Sequence, residues 1–389
     1  MARDAADPLA HLRARFRLPA GTVYLDGNSL GALPADAPAR LADAVGKEWG
    51  EDLIRSWEGN GWRDAPARVA ARIAPLIGAA ADEVAVADST SVNLFKLAVA
   101  ACRMRPDRRV IVTEPGNFPT DLYLLRSVAE LVGAELRLAP PEGLGAAVRD
   151  DVALLALTHV DYRSARRHDL AAVTTLAHDA GAVMLWDLSH STGAIAVDVS
   201  GAGVDLAVGC GYKYLNGGPG APAYAFVARR HHERLAQPLT GWFGHAEPFA
   251  FAPTYAPAPG AGQLRCGTPP VLSLLALECG VRTFDGVDLA AVERKGRELT
   301  GQFIQLVDGR LRGRGFEVAT PRDPAARGSH VALVHPGAPR LMAALAERRV
   351  IGDLRPPSLL RFGFAPLYVR HVDVFDAVEA LAHVTAAPA

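Results

Sequence analysis

The chain has 389 residues, half of them hydrophobic and 21% charged, with 41 Lys and Arg against 42 Asp and Glu for a formal net charge of −1. Its length suggests roughly two to three domains with a substantial core, and its balanced charge argues against nucleic acid or an anionic membrane as a partner. No apolar run reaches the roughly 18 residues of a membrane span, residues 1–17 lack the apolar core of a signal peptide, and Cys102, Cys210, Cys266 and Cys279 show no metal-ligand spacing, so a cytoplasmic protein with reduced thiols and no metal is expected.

In chain order, the first twenty residues read as a short amphipathic helix and residues 22–25 as a strand or extended arm. The run Asp26-Gly27-Asn28-Ser29-Leu30-Gly31 contains Gly-x-Ser-x-Gly, the mark of a nucleophile elbow, so a serine hydrolase using Ser29 is one reading. An elbow needs a strand before it and a helix directly after it. Pro34 follows almost at once, which argues against the hydrolase. Residues 41–49 and 65–77 read as helices, with Trp57 and Trp62 between them beside Gly59, Asn60 and Gly61. Packing is the simpler use of these rings, and stacking on an aromatic substrate is the alternative.

From residue 83 onward, strand, turn and helix alternate. After strand 84–87, Asp88, Ser89, Thr90 and Ser91 open a helix whose free N–H groups and positive dipole end suit a phosphate. Strand 109–113 leads to a helix starting near Pro119, where Phe118 is placed to pack in the core or to stack on a flat ring. Strand 152–157 ends at Thr158 and His159, and helix 170–180 follows. Run 182–186 is a buried strand that delivers Asp187 at its carboxyl end; run 205–209 is a second, followed by Lys213. Ligands of open α/β sheets sit outside the carboxyl ends of the strands, so these two groups, 26 residues apart in sequence (213 − 187), can share one crevice with His190 and Tyr212. An acid and a lysine there fit a carbonyl cofactor held as a Schiff base, the acid keeping a pyridine nitrogen protonated. Taken singly, Asp187 could cap a helix and Lys213 could be a solvated loop residue. Gly217, Gly218 and Gly220 beside Pro219 and Pro222 point instead to a specially shaped backbone at the lysine.

Beyond residue 227 come a helical stretch 231–236, the run Gly241-Trp242-Phe243-Gly244-His245, an irregular proline-rich loop 248–259 and a long helix ending near 283. The last hundred residues form a second unit: helix 289–307, strands 317–319 and 330–334, helix 339–347, strand 359–362 and helix 372–382. Arg361 stands on an otherwise apolar strand, which favours a pocket, and a guanidinium grips a carboxylate with two N–H bonds. The whole is an α/β protein: a three-layer large domain on a mostly parallel sheet, with a smaller α+β C-terminal domain. The absence of Gly-x-Gly-x-x-Gly after the first strand argues against a dinucleotide.

Seven stretches together resemble the kynureninase family of fold-type-I pyridoxal phosphate enzymes, related to the class V aminotransferases: Tyr-Leu-Asp-Gly-Asn-Ser-Leu-Gly, Phe-Pro-Thr-Asp, Trp-Asp-Leu-Ser-His, Tyr-Lys-Tyr-Leu-Asn-Gly-Gly-Pro-Gly, Gly-Trp-Phe-Gly-His, Arg-Cys-Gly-Thr-Pro-Pro and Arg-Phe-Gly-Phe-Ala-Pro-Leu-Tyr. The resemblance covers nearly the whole chain. It implies pyridoxal 5′-phosphate on Lys213, Asp187 at the pyridine nitrogen, Phe118 stacked on the ring, and Pro119, Thr120, Asp121 and Thr158 beside it. Thr90, Ser91, His190 and Tyr212 are then placed around the phosphate and ring substituents. Trp242 and Thr268 are expected from the neighbouring subunit of a homodimer with a shared site. For the substrate the resemblance implies Arg361 at the α-carboxylate, with Asn28, Trp57 and Gly267 near it. Some family members carry Ser-Asn where this chain has Gly267 and Thr268, and this smaller pair looks like the bacterial type that takes kynurenine over its 3-hydroxy form. The implied reaction is hydrolysis of the Cβ–Cγ bond of kynurenine to anthranilate and L-alanine, or of 3-hydroxykynurenine to 3-hydroxyanthranilate and L-alanine, in tryptophan catabolism or NAD-precursor formation, with Lys213, Tyr212 and Asp187 as the reacting groups. Another class V enzyme, desulfurase- or epimerase-like, is the near alternative. The implied division is an N-terminal segment 1–45 associated with the small domain, a large domain 46–275 and a small domain 276–389.

Overall fold

The computed structural model describes residues 2–386 and is built on a seven-stranded sheet. Its strands are β1 (Val84–Val86), β2 (Val110–Thr113), β3 (Glu135–Leu138), β4 (Val152–Thr158), β5 (Val183–Asp187), β6 (Leu206–Gly209) and β7 (Tyr224–Val227), in the spatial order β1-β7-β6-β5-β4-β2-β3. Strand β7 runs antiparallel to both neighbours, and every other adjacent pair is parallel. The central strands are apolar without alternation because both faces are covered. Ile111, Leu154, Val183, Leu185 and Val208 pack into one core cluster, while Val112, Leu155, Met184, Trp186 and Ala207 pack into another on the opposite face. Three layers follow from that division.

Local chemistry sets the connecting helices. Helix α1 (Ala65–Ile73) buries Val69, Ala70 and Ile73. Helix α2 (Thr90–Arg103) starts where the Ser89 hydroxyl accepts a hydrogen bond from the Val92 N–H at 3.3 Å. Helix α3 (Pro119–Val132) has proline in its first turn and ends at Gly133 in the left-handed region (φ +67). Helix α4 (Leu170–Asp179) is capped by the Asp169 carboxylate, which accepts from Ala172 N.

Helices α5 (Val271–Arg282) and α6 (Leu289–Arg310) lead to a four-stranded antiparallel sheet of β8 (Glu317–Val318), β9 (His330–Val334), β10 (Asp353–Arg355) and β11 (Leu359–Gly363), ordered β8-β9-β11-β10. Helices α6 and α7 (Ala338–Glu347) pack on it, and α8 (His371–Ala386) packs against both of these helices. Val23–Tyr24 pairs in parallel with Val350–Ile351, and Gly363 N donates to Leu25 O at 2.6 Å. The N-terminal segment is thereby joined to this second sheet.

Some local expectations are corrected. The first twenty residues form no continuous helix: after a short turn at Ala2–Ala5 come a 3₁₀ segment at Ala10–Arg15 and a two-residue strand at Phe16–Arg17, with Pro8 and Pro19 limiting helix on either side. The helix expected at 41–49 is an α-helical turn, Ala37–Asp43, passing into a wider-wound π segment, Ala44–Asp52. The helical stretch expected at 231–236 is a 3₁₀ segment, Arg229–Arg234. Strands β3, β7 and β10 were not foreseen.

Candidate active site

The carboxyl ends of β4 and β5 lie side by side, with Thr158 and Asp187 as register partners. Asp187 is buried, and its Oδ1 accepts from Ser189 N at 2.8 Å. The Ser189 hydroxyl in turn accepts from Cys210 N at 3.2 Å, tying the end of β5 to the exit of β6. From that exit the chain delivers Lys213, whose Nζ lies 3.3 Å from His190 Nε2 and 5.8 Å from the centre of the Tyr212 ring. The glycine track after the lysine has the backbone its composition implied, with Gly218 (φ +79) and Gly220 (φ +74) in the left-handed region. On the other side, Gly31 presses on the lysine loop: its N–H donates to Tyr212 O at 2.8 Å, and a Cβ there would lie 2.4 Å from Lys213 O.

A narrow cavity joins these groups. Its wall contains Thr90, Ser91, Phe118, Thr120, Asp121, Thr158, Asp187, His190, Tyr212 and Lys213, together with Ser189 and Tyr162. Thr90 Oγ1, at the mouth of α2, is buried without a hydrogen-bond partner. An orphaned hydroxyl at the start of a fourteen-residue helix fits an incoming anion. Asp88 before it sits at φ +50, held by the fully buried Lys96 at 2.7 Å. Phe118 is partly exposed and meets Tyr162 edge to face, 5.2 Å between centroids at 87°. Asn117 organises this corner: its amide oxygen accepts from Phe118 N at 2.7 Å and from the Thr158 hydroxyl, and its Nδ2 donates to Thr113 at 3.1 Å.

Burial dominates the electrostatics of this cavity. Burial pushes Asp187 above the ordinary carboxylate value, against the pull of the Ser189 hydrogen bonds and Lys213. Burial, then the charge of Asp187, lifts Asp121 well above it. Burial, then the Lys213 charge, keeps His190 neutral, and burial raises the Tyr212 phenol, so that it stays protonated. A cation placed between the two acids relieves both.

Pro119 is the first residue of α3 and not part of the cavity wall. Trp57, Trp242, Gly267, Thr268, Asn28 and Arg361 do not line it either. Trp57 packs edge-on with Trp62 at 6.2 Å and near Phe243 at 6.4 Å, which is the packing alternative for this ring. Trp242 stacks edge-on with Phe243 and Phe249. Arg361 is fully buried on β11, and its Nη1 donates to the backbone oxygen of the cavity-wall residue Tyr162 at 2.6 Å. Ser29 has no imidazole to activate it: its hydroxyl donates to Asp353 at 2.8 Å and accepts from Arg361 at 2.9 Å. That removes the structural basis for a serine nucleophile. Tyr162, Ser189 and Asp353 were not foreseen. The Tyr162 side chain reaches the cavity from a loop, with no local pattern to mark it.

The fold is that of fold-type-I enzymes. Over 97% of this chain and 98% of theirs it superposes on an apo cysteine desulfurase from Thermococcus onnurineus with a TM-score of 0.80 at 17% identity. A variant of C-DES with glycine covalently linked to its PLP cofactor gives 0.83 at 15%, over 95% and 98%. Sequence gives a narrower result. The kynureninase of Deinococcus radiodurans is 52% identical over 98% of this chain and 95% of its own length, and that of Burkholderia mallei is 51% identical over 98% and 93%. A model of the kynureninase C-terminal domain matches residues 292–381. The chain belongs to the kynureninase family.

Proposed function

We propose that this protein is a pyridoxal phosphate-dependent hydrolase that cleaves the Cβ–Cγ bond of L-kynurenine, adding one water and yielding anthranilate and L-alanine. The observation that carries the reading is the convergence of Lys213, Asp187, Phe118 and the unpartnered Thr90 hydroxyl on one cavity. In it, Lys213 would hold the cofactor's aldehyde carbon, Asp187 its pyridine nitrogen, Phe118 its ring face, and Thr90 and Ser91 its phosphate, with Asp121 and Thr158 beside the ring. When bound, the cofactor supplies an electron sink for negative charge at the substrate carbon next to the amine.

The remaining chemistry belongs to the chain. Lys213 Nζ would move the proton at that carbon, with neutral His190, whose Nε2 lies 3.3 Å away, as a hydrogen-bond partner that adds no charge. Tyr212, kept protonated by burial, is the candidate proton donor. Trp57, Gly267 and Asn28 are assigned to the substrate's surroundings by this reading, with Arg361 at its carboxylate. A homodimer is part of it, Trp242 and Thr268 serving the partner's cavity; the exposed Ile54, Phe249 and Phe251 support such an interface. The reading also divides the chain at residues 45 and 275 and places it in the cytoplasm. Its four cysteines are free, and among the described residues no helix is long and apolar enough to cross a membrane.

A desulfurase needs a reactive thiolate. Cys102, Cys210 and Cys279 are buried, and burial raises the thiol of Cys266, so no observation favours that reading. The test is anthranilate fluorescence on adding L-kynurenine to protein loaded with pyridoxal phosphate. No anthranilate from yellow, folded protein overturns the proposal.

A further inference from the structure

Arg361 has five N–H donors, and the chain itself occupies four. Nε and Nη2 hold the two oxygens of Asp353, Nη2 also meets the Ser29 hydroxyl, and Nη1 meets Tyr162 O. Asn28, with its amide oxygen turned to the guanidinium, adds contacts at 2.8 and 3.3 Å on the Nε and Nη2 edge. Asp353 is the cross-strand partner of Arg361 in register and accepts from Arg361, Ser29 and Arg355 together. It is thus fixed on a strand by three residues. The two-pronged edge of Arg361 is therefore filled, and one N–H on Nη1 is left over.

Arg355 differs. It lies two residues along β10, donates to Asp353 through Nη2 at 2.7 Å, and its buried Nε has no partner. Its side chain is 36% exposed where that of Arg361 is 1% exposed. Its guanidinium carbon stands 6.0 Å from the centre of the Tyr162 ring, which belongs to the cavity wall, and its charge reaches His190 and Tyr212. Two guanidiniums on one carboxylate give the trio a single net positive charge, which the neighbouring Asp26 carboxyl offsets once it ionises.

We propose that Arg355 is the second, ligand-facing arm of the carboxylate clamp, with Asp353 as the positioning residue that joins it to Arg361. The substrate's α-carboxylate then lies between the free Nη1 donor of Arg361 and the open donors of Arg355. This rests on the reading that Lys213 carries the cofactor and that the substrate is an amino acid.

The experiment titrates wild-type, Arg355→Gln and Arg355→Lys holoenzyme with L-alanine and with ethylamine, following the visible absorption of the bound cofactor, and measures kinetics with L-kynurenine. Loss of a charge-assisted hydrogen bond corresponds to roughly 10- to 100-fold weaker L-alanine binding in Arg355→Gln. Ethylamine, lacking the carboxylate, should change by less than about twofold, KM for kynurenine should rise more than kcat falls, and Arg355→Lys should recover part of the loss. Parallel weakening of both ligands, or no weakening of L-alanine, overturns the proposal. A wild-type enzyme that binds L-alanine but leaves kynurenine intact overturns the kynurenine reading alone, because the ratio of the two ligands still decides the role of Arg355.

Discussion

Asp121 and Asp187 share one cavity, and burial, reinforced by the charge of Asp187, raises the Asp121 carboxyl well above the ordinary carboxylate range. Two buried acids around one cavity are stable together only when they carry fewer than two negative charges or when a cation enters between them. On the proposed reading Asp187 partners the protonated pyridine nitrogen, and Asp187→Ala removes that partner. Turnover of kynurenine should fall by about 10²-fold or more, read by anthranilate fluorescence, with Asp187→Glu retaining more activity than Asp187→Ala.

Lys213→Ala tests the centre of the site directly. The variant should lose kynurenine cleavage, and borohydride should no longer fix cofactor to the chain. Wild-type turnover by this variant overturns the assignment of the lysine.

Asp26 gives a pH signature. Burial, then the Asp353 charge, raises it from 3.8 to about 6. The folded protein therefore keeps this proton where the unfolded chain has released it. Stability falls as pH rises from about 4 to 6 and stays level above that. At about 1.4 kcal/mol for each pH unit, Asp26→Asn should gain up to about 3 kcal/mol at pH 7. Melting curves at pH 4.5 and 7.5 check this: the gain should be large at the higher pH and small at the lower.

Asp205 supports the sheet from behind the site. It accepts from His231 at 2.7 Å, His178 at 2.8 Å, Arg230 at 2.7 Å and the Met184 N–H at 2.8 Å, which together hold it below the ordinary carboxylate range despite its burial. Its stabilisation is present at neutral pH and is lost as pH falls through the acid range. Asp205→Ala should cost about 3–5 kcal/mol in denaturant unfolding.

Gly31→Ala should damage the lysine loop. The new methyl would lie 2.4 Å from Lys213 O and 2.6 Å from Asn216 Cα, so backbone has to move. A fall in kcat/KM with a lower melting temperature is expected, whereas Gly59→Ala, with nothing within 4 Å of the added carbon, should leave kcat/KM close to wild type.

The elements carrying the cavity were legible because their sequence signals are local. The buried runs ending at Asp187 and before Lys213, the four polar residues opening α2, and Pro119 starting α3 each declare themselves within a few residues. Strands β3 and β10 escaped because Glu135, Arg137, Asp353 and Arg355 give edge strands a charged pattern that reads as loop. Strand β7 escaped for a different reason: Tyr224–Val227 is only four residues long and follows a proline-rich turn. The carboxylate clamp was only half legible. Arg361 stood out on its apolar strand, but its engagement by Asp353 depends on cross-strand register, and the position of Tyr162 depends on how the loop after β4 folds back.

The pairing of Val23–Tyr24 with Val350–Ile351 has a consequence for biogenesis. During synthesis Val23–Tyr24 finds its strand partner only after more than three hundred further residues have been made. Gly31, seven residues beyond Tyr24, is the group that closes over the lysine loop. Until the second sheet exists, that segment has no ladder to anchor it, and a nascent chain with its large sheet already formed still has an open lysine pocket. Completion of the site is thus tied to a slow kind of contact, one between segments far apart along the chain.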